Sequence, residues 1–120
     1  FPALPILLAG FSFGSSVGLR VGCGDERVKE LIGLGLPVDN VDMSFLQSCN
    51  KPKLILQGGA DQFGSRAKLE ALYATLPDPK RLVVFDGADH FFSGALPKVG
   101  EAIEAWIAER HRAPSTTPAD

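Results

Sequence analysis

Four short apolar runs, each followed by a turn or loop rich in glycine, proline or aspartate, constrain the fold of this chain more than any other feature. The runs are continuous rather than alternating between apolar and polar residues, which is typical of strands covered on both faces in a parallel sheet. We therefore predict about four mostly parallel strands. The runs cover residues 5–9, 28–38, 52–57 and 81–85.

Helical patterns occur between and after these runs. Residues 65–76 place apolar side chains near helical spacing, with Ser65 as the candidate N-cap. Residues 96–107 repeat apolar side chains every three or four positions, which predicts an amphipathic helix. Residues 15–22 are predicted as a helix after the first run, and 39–50 as a loop with at most one helical turn. Strands alternating with helices are typical of an α/β fold with flanking helices.

Length and composition limit the classes of protein to which the chain can belong. Its 120 residues suffice for one domain, which we assign to residues 1–112, with a polar C-terminal tail over 113–120. The net charge of −2 and the pI near 5.6 leave no basic face for nucleic-acid phosphates. The longest mostly apolar stretch, 4–13, is shorter than the ~20 residues of a membrane-spanning helix and lacks the basic leader of a secretion signal.

The two cysteines, Cys23 and Cys49, are too few for a disulfide scaffold. They have no CxxC spacing and the chain has only two histidines, so no metal site is predicted. We expect two buried or half-buried thiols in the reducing cytoplasm, and a single bridge between them is left open.

The pentapeptide Gly10-Phe-Ser12-Phe-Gly14 lies between the first predicted strand and the helix after it. A serine between a strand and a helix in this way is expected to lie on a sharp turn that presents its hydroxyl above the sheet edge. A side chain at either glycine is expected to collide with the neighbouring strand or helix. Asp61 and His90 each follow the carboxyl end of a predicted strand, where parallel sheets place functional loops. The order serine, aspartate, histidine is the one that this layout uses for nucleophilic catalysis. We predict that the three side chains meet at one site.

The alternative is that Ser12 caps a helix, Asp61 starts a turn and His90 packs locally. Asp89 directly precedes His90, but adjacent residues rarely aim at each other in a loop, so Asp61 is preferred as its partner. Asp86 is expected to close the turn after the fourth run.

Other residues near the motifs are compatible with purely structural roles. His111 lies in a charged stretch and is expected to be a solvated surface residue. Four phenylalanines are equally compatible with lining an acyl pocket and with core packing: Phe11, Phe13, Phe91 and Phe92.

The G-F-S-F-G pentapeptide and the D-H-F-F segment around His90 resemble the C-terminal half of an α/β-hydrolase, in particular small bacterial hydrolases related to dienelactone hydrolase. The resemblance covers Leu4 to about Ile107. It implies a serine hydrolase acting on small carboxylic esters, with Ser12 as nucleophile, His90 as base and Asp61 as the acid. It also implies the backbone N–H of Phe13 as an oxyanion donor and needs no metal or organic cofactor. Peptidases and thioesterases use the same triad.

Such a resemblance leaves the N-terminal half of the sheet, and the loop that normally supplies the second oxyanion N–H, unaccounted for. Residues 6–9 then form an edge strand whose free N–H and C=O groups invite pairing. We expect a homodimer in which this strand pairs antiparallel with its two-fold copy, or pairing with a separate N-terminal fragment. A third expectation is an incomplete piece of a longer gene. The competing function is a non-catalytic or weakly active half-domain that assembles with itself or with a missing N-terminal half.

Overall fold

A four-stranded parallel sheet, in the order β1-β2-β3-β4, forms the centre of the computed structural model, which describes residues 5–112. This confirms the predicted α/β fold with parallel strands and flanking helices. The strands are β1 (Ile6–Phe11), β2 (Val28–Leu34), β3 (Lys53–Gly58) and β4 (Lys80–Phe85), and the helices are α1 (Phe13–Gly24), α2 (Arg66–Ala74) and α3 (Leu96–His111), with a 3₁₀ turn at Ser44–Ser48.

Helices cover both faces of the sheet, which explains the continuous apolar runs. Leu31 and Ile55 point to one face, where they pack with Leu19 of α1 and Leu69 of α2. The alternate residues of the same strands point to the other face, where they pack with α3: Ile32, Leu54 and Leu56 on the sheet, Val99 and Trp106 on the helix. Because successive side chains of a strand point to opposite faces, both sets must be apolar.

Local details differ from the sequence-based boundaries. The second run continues to residue 38 as apolar sequence, but β2 ends at Leu34 because Gly35 turns the chain with a φ of 63°. The terminal helix extends beyond residue 107 to His111, and the loop over 39–50 contains the single 3₁₀ turn that was predicted. The proposed tail over 113–120 lies outside the described residues, so the domain boundary stays a prediction.

Ser65 stands at the N-cap of α2, as predicted, but its side chain does not cap the helix. Its Oγ and its backbone N–H each donate to the carboxylate of Asp39, with both donor–acceptor distances at 3.0 Å. The acidic group that compensates the N-terminus of α2 therefore comes from the loop after β2 rather than from the helix itself.

Both cysteines are free thiols, Cys49 buried and Cys23 half-buried, in the cluster beneath α1. Burial, together with the neighbouring thiol of Cys49, raises the pKa of Cys23 to about 12. The thiol form therefore dominates at neutral pH, and the bridge that the sequence left open is not formed. A cytoplasmic location stays a prediction.

A buried carboxylate fastens the end of α3 to β2. The side chain of Glu30 is 7% exposed and accepts hydrogen bonds from Arg110 Nε at 2.6 Å and from His111 Nε2. His111 is exposed, as expected, and it also contacts Glu30, which the sequence did not predict. A buried carboxylate needs such partners, because leaving it unpaired costs several kcal/mol.

Over residues 5–112, no helix combines the length and the apolar character needed to cross a bilayer.

The loop that follows β4 crosses directly over the carboxyl end of β3. A Cβ atom on Gly58 would collide with the carbonyl oxygens of Ala88 and Asp89. Only a residue without a side chain permits this approach, which also lets Ala60 N–H donate to the Ala88 carbonyl at 2.9 Å.

We expect Gly58→Ala to lower the free energy of unfolding by about 1–3 kcal/mol, because two backbone carbonyls cannot move aside as a flexible side chain can. Urea denaturation followed by circular dichroism measures the change. Gly100→Ala is the matched control, since a Cβ there meets no heavy atom within 4 Å inside α3, and it should raise stability by about 0.5–1 kcal/mol. Equal midpoints for Gly58→Ala and the wild type would contradict the crossing.

Candidate active site

Three polar side chains meet at the carboxyl edge of the sheet. Ser12 follows β1, Asp61 lies in the turn after β3, and His90 lies in the loop after β4. Parallel strands end at the same edge, so residues that are far apart in sequence come together there. The structure thus brings together the three residues that the sequence predicts to meet.

Ser12 occupies a sharp turn with strained backbone. Its φ of 57° and ψ of −128° lie in a region of backbone conformation that residues other than glycine rarely adopt. A Cβ on Gly10 would lie 2.8 Å from both the Gly14 carbonyl oxygen and the Ser15 Cα, so the strand and helix need glycine there. A Cβ on Gly14 would meet no heavy atom within 4 Å among residues 5–112, so the predicted crowding at both glycines is wrong for Gly14.

The hydroxyl of Ser12 contacts the imidazole of His90. Ser12 stands at the N-cap of α1, yet its side chain makes no capping bond, which argues against the helix-cap interpretation. Its Oγ lies 2.7 Å from His90 Nε2.

The other ring nitrogen of His90 contacts Asp61. His90 Nδ1 lies 2.7 Å from Asp61 Oδ2, and the two side chains are 2% and 0% exposed. An ionised carboxylate only accepts hydrogen bonds, so Nδ1 carries the proton and Nε2 is free to accept one from Ser12. This tautomer is assigned from the partners of the ring.

Asp61 is held by its own turn and by a buried glutamine. Its Oδ1 accepts hydrogen bonds from the backbone N–H groups of Phe63 at 2.7 Å and Gly64 at 2.9 Å. Gln57 Nε2 lies 3.4 Å from Asp61 Oδ2 and donates to the carbonyls of Leu36 and Gly64 at 3.0 Å. Sequence reasoning missed Gln57, although a glutamine inside an apolar strand signals that a buried amide needs partners.

Asp89, the alternative acid, directs its carboxylate to the backbone of its own loop instead of to the imidazole. Asp89 Oδ1 accepts hydrogen bonds from the backbone N–H groups of Phe91 and Ser93, both at 3.0 Å. The bonds from Ser93 are the main cause that lowers the pKa of Asp89. Asp86 lies in the turn after β4, as expected, and forms an exposed ion pair with Arg66 at 3.0 Å.

Three phenylalanine rings pack around the imidazole of His90. Their centroids lie 5.4 Å (Phe11), 4.8 Å (Phe63) and 5.2 Å (Phe91) from the imidazole centroid. Phe92 instead packs in the core against Phe85, and Phe13 is exposed. The sequence left open whether these phenylalanines line a pocket or pack in the core. In the structure, Phe11 and Phe91 border the site and Phe92 belongs to the core. Phe63 was not singled out from the sequence.

Phe13 is the first residue of α1, so its N–H has no carbonyl partner one turn earlier in the helix. That N–H, next to Ser12 at the positive end of the helix dipole, is suited to an anionic oxygen. Within residues 5–112, no group of three or more His, Cys, Asp or Glu side chains is arranged to hold a metal ion.

Comparisons with known proteins identify the family of the chain. The family described as "Alpha/beta hydrolase domain" matches residues 2–115. The chain is 28% identical over 109 residues to "Uncharacterized protein RP471" of Rickettsia prowazekii. The aligned region covers 84% of this chain and 46% of that protein.

Solved structures show the same fold. XC6422 from Xanthomonas campestris, described as an a/b serine hydrolase without lid, is 28% identical with a TM-score of 0.79, covering 92% of this chain and 50% of that one. Dienelactone hydrolase from Anabaena variabilis is 27% identical with a TM-score of 0.73, covering 88% of this chain and 50% of that one.

The chain therefore spans about half the length of the proteins that it matches. The match over nearly all of its residues, with the same parallel sheet and helices, confirms the resemblance. The chain belongs to the alpha/beta hydrolase family.

Proposed function

We propose that this protein is a serine hydrolase that cleaves small carboxylic esters through an acyl-enzyme. The observation that carries the proposal is the continuous chain of hydrogen bonds from Ser12 Oγ through the His90 ring to Asp61. A serine hydroxyl is a poor nucleophile until a base within hydrogen-bond reach takes its proton. The serine hydrolase and dienelactone hydrolase among the similar structures support this class of chemistry.

In the acylation step, Ser12 Oγ attacks the ester carbonyl carbon while its proton moves to His90 Nε2. Asp61 stabilises the resulting imidazolium through the Nδ1–H hydrogen bond. The carbonyl oxygen becomes an oxyanion that accepts a hydrogen bond from the N–H of Phe13. When the tetrahedral intermediate collapses, the ester C–O bond breaks and the leaving alcohol takes the proton from Nε2.

Deacylation repeats the same steps with water. His90 Nε2 takes a proton from the water as its oxygen attacks the acyl carbon. Collapse breaks the bond to Ser12 Oγ, which recovers the proton from the imidazolium, and the carboxylic acid leaves. No metal or organic cofactor takes part in either half of the cycle.

The outer edge of β1 is the place where a second oxyanion donor could reach the site. Among residues 5–112 only β2 pairs with β1, whose Ile6 and Ala9 are exposed. We propose that β1 pairs antiparallel with β1 of a second copy, a two-fold arrangement that gives each site neighbouring backbone from its partner. A second oxyanion donor from across this edge adds roughly 3–4 kcal/mol to stabilisation of the transition state.

Ser12→Ala should reduce turnover of 4-nitrophenyl acetate by about 10³-fold or more, because the attacking atom is removed. The same substitution should abolish labelling by a fluorophosphonate probe, detected by mass spectrometry. Ser44→Ala, at an exposed serine of the 3₁₀ turn, is the control and should retain both activities. A wild-type chain that neither hydrolyses the ester nor reacts with the probe would favour the non-catalytic half-domain.

The choice between the two acids is tested by a pair of isosteric changes. Asp61→Asn should lower kcat by about 10³–10⁴-fold, because an amide partner favours the wrong imidazole tautomer. Asp89→Asn keeps the acceptor oxygen of the loop and should change kcat by no more than about threefold. The reverse ranking, measured on folded variants, would transfer the role to Asp89.

The edge pairing predicts a dimer in sedimentation velocity at micromolar concentration. Ala9→Lys should shift the population to monomer, since a charge on an edge strand disfavours pairing. Ala74→Lys, at an exposed position of α2, should leave the dimer intact. A wild-type monomer would exclude self-pairing and leave a separate N-terminal fragment, or further residues of a longer gene product, as the partner of β1.

A further inference from the structure

Three exposed aromatic rings surround the imidazole of His90. Phe11, Phe63 and Phe91 leave 43%, 40% and 58% of their surfaces open, while the His90 side chain between them is 2% exposed. Phe11 and Phe91 also contact each other, with 6.3 Å between ring centroids. Phe63 packs on the same imidazole, so the three rings lie around the base that contacts the Ser12 hydroxyl, and we call them together the aromatic surface.

Core packing does not account for the exposed ring of Phe91. Phe92, which follows Phe91, is 2% exposed and already anchors the histidine loop in the core beneath α3. Phe91 thus adds little to folding and leaves more than half of its ring in water. A cluster of exposed aromatic side chains beside a reactive group is typical of a ligand-binding surface.

The reaction dictates which part of an ester meets these rings. His90 Nε2 must pass its proton to the leaving oxygen, so the leaving alcohol has to lie against the imidazole. The rings that border the imidazole consequently border the alcohol rather than the oxyanion, which lies toward the N-terminus of α1.

The charge of the histidine loop narrows the substrate class further. Its ionisable side chains other than His90 are Asp86 and Asp89, and hydrogen bonds from Ser93 lower the pKa of Asp89, so it is ionised at neutral pH. Two cations lie near this loop: Arg66, which pairs with Asp86 and Glu70, and Lys98, which lines the cavity beside Asp86 and Ser93. Asp89 lies closer to the rings, because its Oδ1 accepts the N–H of Phe91 at 3.0 Å, so its negative charge disfavours an alcohol that carries a carboxylate.

We propose that Phe11, Phe63 and Phe91 bind the alcohol portion of the substrate and select esters of uncharged aromatic alcohols. This specificity rests on the proposed hydrolase function. Aromatic rings prefer edge-to-face or offset contact with one another, and an apolar ring buried there removes both surfaces from water.

Three acetate esters with the same acyl group test the inference: benzyl acetate, ethyl acetate and 4-(acetoxymethyl)benzoate. Released acid is measured by pH-stat titration. We expect kcat/KM for benzyl acetate to exceed that for each of the other two by about tenfold, the size of effect expected for one well-packed apolar group. Phe91→Ala should remove about tenfold from benzyl acetate, mainly through KM, and change ethyl acetate less than about threefold.

Two further variants distinguish the loss of the aromatic ring of Phe91 from a general effect on folding. Phe91→Tyr keeps the ring and should retain the preference for benzyl acetate. Val21→Ala removes an apolar side chain that is exposed to the same extent, 58%, about 12 Å further along α1 than Phe13, and should not alter the ratio of the three substrates. Urea denaturation confirms that each variant is folded.

Binding to the inactive Ser12→Ala variant, measured by NMR titration, tests the surface independently of turnover. Benzyl acetate should bind about tenfold more tightly than ethyl acetate, and Phe91→Ala in the same background should abolish the difference. Equal binding of the two esters overturns the inference. Ser12-dependent turnover without a benzyl preference overturns it while leaving the hydrolase function intact, whereas preferential binding without any turnover supports the surface and contradicts the hydrolase function.

Discussion

The side-chain amide of Gln57 joins the loop after β2 to the turn after β3. Its Oε1 accepts from the N–H of Leu36 at 2.9 Å, and its Nε2 donates to the carbonyls of Leu36 and Gly64. Gly64 N–H in turn donates to Asp61, so the carboxylate that holds His90 is oriented by a chain of bonds that begins at this amide. Removing the amide leaves buried backbone groups unpaired, at about 1–3 kcal/mol for each group. The position of the imidazole therefore depends on the core as well as on its own loop.

The strain at Ser12 is supported in the same manner. A positive φ outside glycine costs about 1–3 kcal/mol and persists only where the surroundings determine the backbone on both sides. Ser12 N–H donates to the Leu34 carbonyl at 2.8 Å, which fixes the turn to β2, and the buried hydroxyls of Ser15 and Ser16 bind the carbonyls of Ser12 and Phe13. These bonds hold the first turn of α1 without using the Ser12 side chain. Its hydroxyl is left for the imidazole.

Local patterns in the sequence predicted the strands, the helices and the place of each of the three polar residues after a strand, because each depends on neighbours within about ten positions. Contacts between distant residues were not predictable in this way. Gln57 meets Leu36 across 21 residues, and Glu30 meets His111 across 81, so neither pairing leaves a periodic signal. Phe63 was missed for the same reason, since its ring reaches His90 only after the turn at Asp61 has formed. The expected crowding at Gly14 was wrong because helix α1 leaves open space beside that residue.

Adjacent phenylalanines show how one loop serves both the core and the site. Phe92 adopts a φ of 56° and is buried against Phe85 and α3, while Phe91 remains exposed and packs on the His90 ring. The buried ring contributes about 1.5–3 kcal/mol of burial energy, which offsets strain of about 1–3 kcal/mol at its own backbone. Because the reversal at Phe92 sends neighbouring side chains to opposite sides, the energy of core packing anchors the loop whose outer surface carries the aromatic ring. A substitution at Phe92 should therefore displace His90 and Phe91 together, whereas one at Phe91 removes a ring contact to His90 and part of the surface that a substrate meets, but no core packing.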